Sequence, residues 1–151
     1  MSRAPVNISE PRVEVNPLYV KRGEGDHCWL SAWQVENFSG DEIKIVSARL
    51  PHGQFRGEEI TFSPEIAVPS EGRRELILPA AFNAAPGSMV ENAFLILSIE
   101  YERVPWRVFT RFRVTANARG EPEPTVERIT IQKAGFSDTA GQSRDTRGSD
   151  G

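Results

Sequence analysis

AFLILSIEYERVPWRVFTRFRVTAN, residues 93–117, decides the fold class. Setting Tyr101 opposite Trp106 places Ile99 opposite Val108, Leu97 opposite Thr110 and Leu95 opposite Phe112. The other set then pairs Glu100 with Arg107, Ser98 with Phe109, Ile96 with Arg111 and Phe94 with Arg113. The first set is apolar almost throughout, and the second is mixed and rich in arginine. Side chains alternate between the two faces of a strand, so a slip of one residue would scramble both sets. The stretch therefore reads as a β-hairpin with one strongly buried face. It names no reaction.

Working outward, the same alternation finds further strands. PRVEVNPLYV (11–20) is bracketed by prolines, which donate nothing to a ladder, and reads as an edge strand. HCWLSAWQVENF (27–38) carries apolar side chains on both faces, as a central strand does. IKIVSARL (43–50) changes parity after Ile45, which predicts a bulge. ITFSPEIAV (60–68) alternates cleanly, and Pro64 marks it as an edge; RRELILP (73–79) points Leu76 and Leu78 inward. The connection 80–92 has room for one short helical turn, and VERITIQK (126–133) is the last strand. The expected fold is all-β, an antiparallel immunoglobulin-like β-sandwich of seven to eight strands. The expected organisation is a flexible segment 1–10, a sandwich domain 11–136 and a disordered tail 137–151. After Phe136 the chain has almost no apolar residue with which to offset its ordering entropy.

The pattern W-x-V-x-N-x-S-G-D at 33–41, followed by the long hairpin, resembles the immunoglobulin- and fibronectin-III-like modules of bacteria. The resemblance covers residues 12–133 and implies a fold, not an activity. The chain departs from immunoglobulin domains in lacking a second cysteine.

The 151 residues suit one domain, large enough to bury a core without disulfide staples. Net charge is −3, from 18 basic and 21 acidic residues well mixed along the chain. A general nucleic-acid binder needs a basic excess to neutralise phosphates, so nucleic acid is not an expected partner. The first residues contain no apolar secretory core, and no apolar run is long enough to span a bilayer. With Cys28 alone, the chain forms no internal disulfide, and a cytoplasmic location is expected. Asn7-Ile8-Ser9 and Asn37-Phe38-Ser39 match the glycosylation sequon and read as chance matches.

Motifs for chemistry are weak. His27 and Cys28 are adjacent, and neighbours on a regular strand point to opposite faces, so they do not converge on one metal ion. Cys28 reads as a buried structural thiol. His52, in the turn Leu50-Pro51-His52-Gly53, lacks a visible partner for general-base work. Asp41-Glu42 and Glu58-Glu59 are carboxylate pairs in turns, which splay into water. Gly23-Glu24-Gly25-Asp26 lacks the Lys-Ser/Thr and the helix that a phosphate loop requires. No catalysis, metal or cofactor is expected.

The feature with functional content is the mixed face of the hairpin. Phe94, Arg107, Phe109, Arg111 and Arg113 combine flat aromatics with guanidinium groups, a pairing enriched at protein interfaces. The ordinary alternative is a solvated sheet face whose arginines pair with Glu100 or Glu102. The expected function is a non-catalytic interaction or assembly module. Its expected occupant is a protein partner or a second copy of the chain in a homodimer. The runner-up is an accessory ligand-binding domain, for example for a saccharide. It would use loops 51–59 and 80–92 around His52 and Asn83, with Phe55 and Phe82 as stacking platforms.

Overall fold

A computed structural model describes residues 9–51 and 53–134. Within them the chain is all-β, with eight strands and no helix. These are β1 (Val13–Arg22), β2 (Cys28–Asn37), β3 (Ile43–Leu50), β4 (Gly57–Val68), β5 (Arg73–Ala81), β6 (Met89–Tyr101), β7 (Val104–Ala116) and β8 (Pro122–Lys133). They form two antiparallel sheets, in the orders β1-β2-β5 and β4-β3-β6-β7-β8. The expected tail 137–151, most of the segment 1–10, and His52 lie outside the described residues.

The inward faces of the two sheets meet in one core. Trp33, Leu97, Ile99, Trp106, Val108 and Phe112 are each at most 4% exposed, as their parity requires. Phe112 sits among aromatic rings, edge-on to Trp33 at 5.0 Å and to Phe55 at 5.7 Å between centroids. Phe55 meets Phe82 at 5.9 Å. These loop phenylalanines plug the end of the sandwich; both are at most 2% exposed.

The hairpin keeps its predicted faces but not its predicted register. Ile99 stands opposite Trp106, Leu97 opposite Val108 and Leu95 opposite Thr110, two residues from the sequence-based pairing. On the outer face, Ser98 meets Arg107, Ile96 meets Phe109, Phe94 meets Arg111 and Glu100 meets Pro105. A two-residue shift preserves parity, so hydrophobic patterning alone does not detect it. The turn decides the register. Only Glu102 and Arg103 lie between the strands, at φ 51° and 66°, the left-handed pair of a two-residue hairpin loop.

The bulge predicted after Ile45 is present: Val46 is skipped in the pairing of β3 with both neighbours. β1 and β4 are edge strands and β2 is central, in line with the prolines and the two-sided apolar pattern. No helical turn forms in 80–92; β5 runs to Ala81 and β6 starts at Met89. β8 starts at Pro122 rather than 126, because on an edge strand a missing N–H faces no neighbour. At one corner the sheets are joined by backbone hydrogen bonds between Arg56 and Ala81, donated in both directions. There β4 passes so close to β5 that a side chain at Gly57 would strike the Pro79 carbonyl.

Asn37 ties together the opposite end of the sandwich. Its amide nitrogen donates to the Asp41 carbonyl at 2.9 Å and the Val68 carbonyl at 3.0 Å. Its amide oxygen accepts from the Ser39 N–H at 2.8 Å. The side chain is fully buried, so in the folded protein its amide offers no site for a glycan.

Candidate functional site: the outer face of the five-stranded sheet

The outward rows of the large sheet can be followed from strand to strand. One row runs Ser47, Ser98, Arg107, Gln132, and the next runs Arg49, Ile96, Phe109, Thr130. A third holds Phe94, Arg111 and Arg128, with Arg113 and Thr125 beyond it. The five residues singled out from the sequence therefore lie together on one surface. Phe94, Arg107, Phe109 and Arg113 are half-buried and Arg111 is exposed. Ile96, between Arg49 and Phe109, is only 7% exposed although it faces away from the core. Neighbouring stems and rings cover it, as long charged side chains do over apolar surface.

The acidic partner of the stripe is not the one expected. The register in β8 slips between Arg111 and Phe112, leaving Glu127 as an extra residue. A bulge re-aims its side chain. The Glu127 carboxylate lies 3.4 Å from Arg111 Nε and 3.0 Å from Arg113 Nη1. The expected pairing of these two arginines with Glu100 or Glu102 is replaced by this clamp. Arg111 and Arg113 lie far along β7 from the turn that holds Glu102, and their cross-strand neighbours on β8 are Arg128 and Thr125, on either side of the bulged Glu127. Arg49, Arg107, Arg111, Arg113 and Arg128 surround the apolar centre, with Glu127 beside two of them; farther out the same face carries Lys44 opposite Glu100, and Glu123 opposite Thr115. This is an apolar centre ringed by arginines, on a chain of net charge −3. Arg49 and Arg128 were not singled out from the sequence. The parity change after Ile45 was the available signal for Arg49, and the change of apolar parity between Val126 and Ile129 was the signal for the bulge at Glu127.

Elsewhere the structure changes three expectations. Phe55 and Phe82 are buried in the core, which removes both as stacking platforms for a saccharide. Asn83 does border a small depression of about 270 Å³, but its companions include Arg22 at the end of β1, Asp26 and His27 from the turn 23–27, and Arg119 from the turn 117–121. The arginines there are already engaged. Arg119 Nη2 lies 3.2 Å from Glu121, whose carboxyl is held below its usual range chiefly by the Asn117 amide and then by Arg119. Arg22 stacks over Trp29 at 5.2 Å. Cys28, expected to be buried, is half-exposed, because its position faces outward at the corner where β2 begins. Among the described residues no group of three or more His, Cys, Asp or Glu side chains converges on a metal position. Among them, too, no helix is long and apolar enough to cross a membrane.

No protein-family model matches the chain, and no curated protein matches it. Among solved structures it is similar to one titled "X-ray structure of Northeast Structural Genomics Consortium target SoR45". The identity is 7% and the TM-score 0.26, over 89% of this chain and 92% of that one.

Proposed function

We propose that the protein is a non-catalytic interaction module that docks an acidic protein segment on the outer face of its large sheet. The observation that carries this reading is the arginine-ringed apolar patch around Ile96 and Phe109. Apolar centres surrounded by arginine match the composition of protein interfaces, and guanidinium groups grip carboxylates by paired hydrogen bonds. The charge balance favours an acidic partner over a second copy on this face. Two copies meeting at Ile96 and Phe109 would bring the arginines that ring one centre up to those that ring the other, and like charges suppress such a contact.

The strand order supports an immunoglobulin-like class. β1, β2 and β5 sit together as strands A, B and E do, and β3, β6 and β7 as C, F and G do. β4 then takes the place of C′, and β8 extends the sheet beyond G. A lone half-exposed thiol suits a reducing, cytoplasmic setting.

The test is a peptide-display selection against the wild type, with counter-selection on Phe109→Glu. The reading expects acidic peptides carrying an aromatic or aliphatic anchor, whose binding weakens as salt rises. Neutral peptides, or peptides that bind both proteins equally, would refute it.

A further inference from the structure

The opposite side of the molecule carries a second, chemically different surface. On the outer face of the small sheet the ladder sets Tyr19, Ala32 and Ile77 in one row. The next row holds Lys21, Leu30 and Pro79, and the one after it Cys28 and Ala81. Leu18 is the residue skipped by the bulge between Pro17 and Tyr19. Leu18 and Tyr19 are each 43% exposed and Ile77 is 47% exposed. These are three of the five large hydrophobic side chains exposed among the described residues; Tyr19 and Ile77 share this face with Leu30, Pro79 and Ala81, and Leu18 stands at its β1 edge. Grouping of this kind, rather than single exposed side chains, marks a contact surface.

The polar rim of this patch points to its occupant. Asn16, Gln34 and Glu75 form the row on the other side of the Tyr19 row. The Tyr19 hydroxyl donates to the Glu75 carboxylate at 3.1 Å, which holds that charge at the edge of the patch. Lys21, on β1, and Glu75, on β5, stand at diagonally opposite corners about Ala32. Both are exposed. A two-fold axis lying in the contact plane along the other diagonal exchanges those corners. It lays the Lys21 of each copy on the Glu75 of the other while the two Tyr19–Ala32–Ile77 rows cross over Ala32, itself only 1% exposed. That arrangement crosses the strands at a wide angle, one of the two ways sheets pack face to face. A surface that matches itself under a two-fold rotation is what an isologous dimer requires. We infer that the outer face of the small sheet pairs two copies of this chain, with Ile77 and Tyr19 flanking a centre at Ala32 and reciprocal Lys21–Glu75 ion pairs beside them. This leaves the arginine face of each copy pointing outward, so the dimer presents two such faces. The inference stands whether or not that face binds an acidic segment.

The test is sedimentation velocity on the full chain over a wide concentration range. The wild type is expected to sediment as a dimer. Ile77→Glu buries a charge in the apolar contact and should raise the dissociation constant by about 100-fold or more. Its melting temperature, read where both proteins are monomeric, should be unchanged, because position 77 faces away from the core. Lys21→Glu should weaken the dimer, and the charge exchange Lys21→Glu with Glu75→Lys should restore it, which keeps the test valid if Ile77→Glu fails to fold. Phe109→Glu should leave the dimer intact. A wild type that stays monomeric at the highest concentration would overturn the inference. So would a dimer that survives Ile77→Glu, one dissociated by Phe109→Glu, or a charge exchange that fails to rescue.

Discussion

Phe112→Ala tests the packing of the sandwich most severely. The ring is fully buried and edge-on to both Trp33 and Phe55, so its removal opens a cavity between the two remaining rings. Truncation of a buried phenylalanine costs about 3–5 kcal/mol, and each edge-on aromatic partner adds about 0.5–1.5 kcal/mol beyond burial. The expected loss is therefore at the upper end, about 4–5 kcal/mol, against a total of about 5–15 kcal/mol for a domain. With about 4 °C per kcal/mol at this size, the melting temperature should fall by about 16–20 °C. Phe109→Ala, on the same strand and the opposite face, should cost about 1 kcal/mol or less, since its ring is only half-buried. The assay is urea and thermal unfolding followed by tryptophan fluorescence. A loss below about 1 kcal/mol for Phe112→Ala, or a larger loss for Phe109→Ala, would refute the assignment of faces on β7.

Three further outcomes follow from single features. Glu102 and Arg103 occupy left-handed backbone at φ 51° and 66°, which disfavours side-chain-bearing residues by about 1–2 kcal/mol each; replacing them with Asn-Gly should stabilise the protein in a denaturant titration and leave the hairpin register unchanged. Thr110 is fully buried and its hydroxyl has no hydrogen-bond partner among the described residues, so Thr110→Val should raise stability by about 1 kcal/mol, and a loss would show the hydroxyl to be satisfied. Burial and the nearby charge of Glu102 push the Tyr101 hydroxyl above its usual 10.0. The folded state thus holds that proton more tightly than the unfolded chain, and the corresponding stability is complete below pH 10.0 and lost as pH rises through the folded value. Tyr101→Phe should flatten that alkaline decline in melting temperature.

The faces of the strands were legible because alternation is imposed by covalent geometry. Leu97, Ile99, Val108 and Phe112 announce their common side without any tertiary information. The pairing register was not legible, because a shift of two leaves parity unchanged and the turn residues Glu102 and Arg103 lack the Asn-Gly chemistry that marks a left-handed pair. Val46 was readable as a bulge since the apolar pattern itself changes phase there; the same change of phase, from Val126 to Ile129 and Ile131, marks the bulge at Glu127 and was missed. The arginine face was legible as a set of outward positions on two strands. Its completion by Arg49 and Arg128 required the order β3-β6-β7-β8, which no local pattern encodes. The apolar outer face of the small sheet was missed for the same reason. Tyr19, Leu30 and Ile77 lie apart in sequence and become neighbours only when β1 and β5 flank β2.

The central claim is that the arginine face is where an acidic segment docks. It is tested most directly by following backbone amide chemical shifts while titrating an acidic peptide from the selection. The account predicts that the shifts cluster on Arg49, Ile96, Ser98, Arg107, Phe109, Arg111 and Thr130, and that they vanish in Phe109→Glu. Shifts confined to the turns 23–27, 82–88 and 117–121, or shifts that persist unchanged in the Phe109→Glu variant, would contradict it.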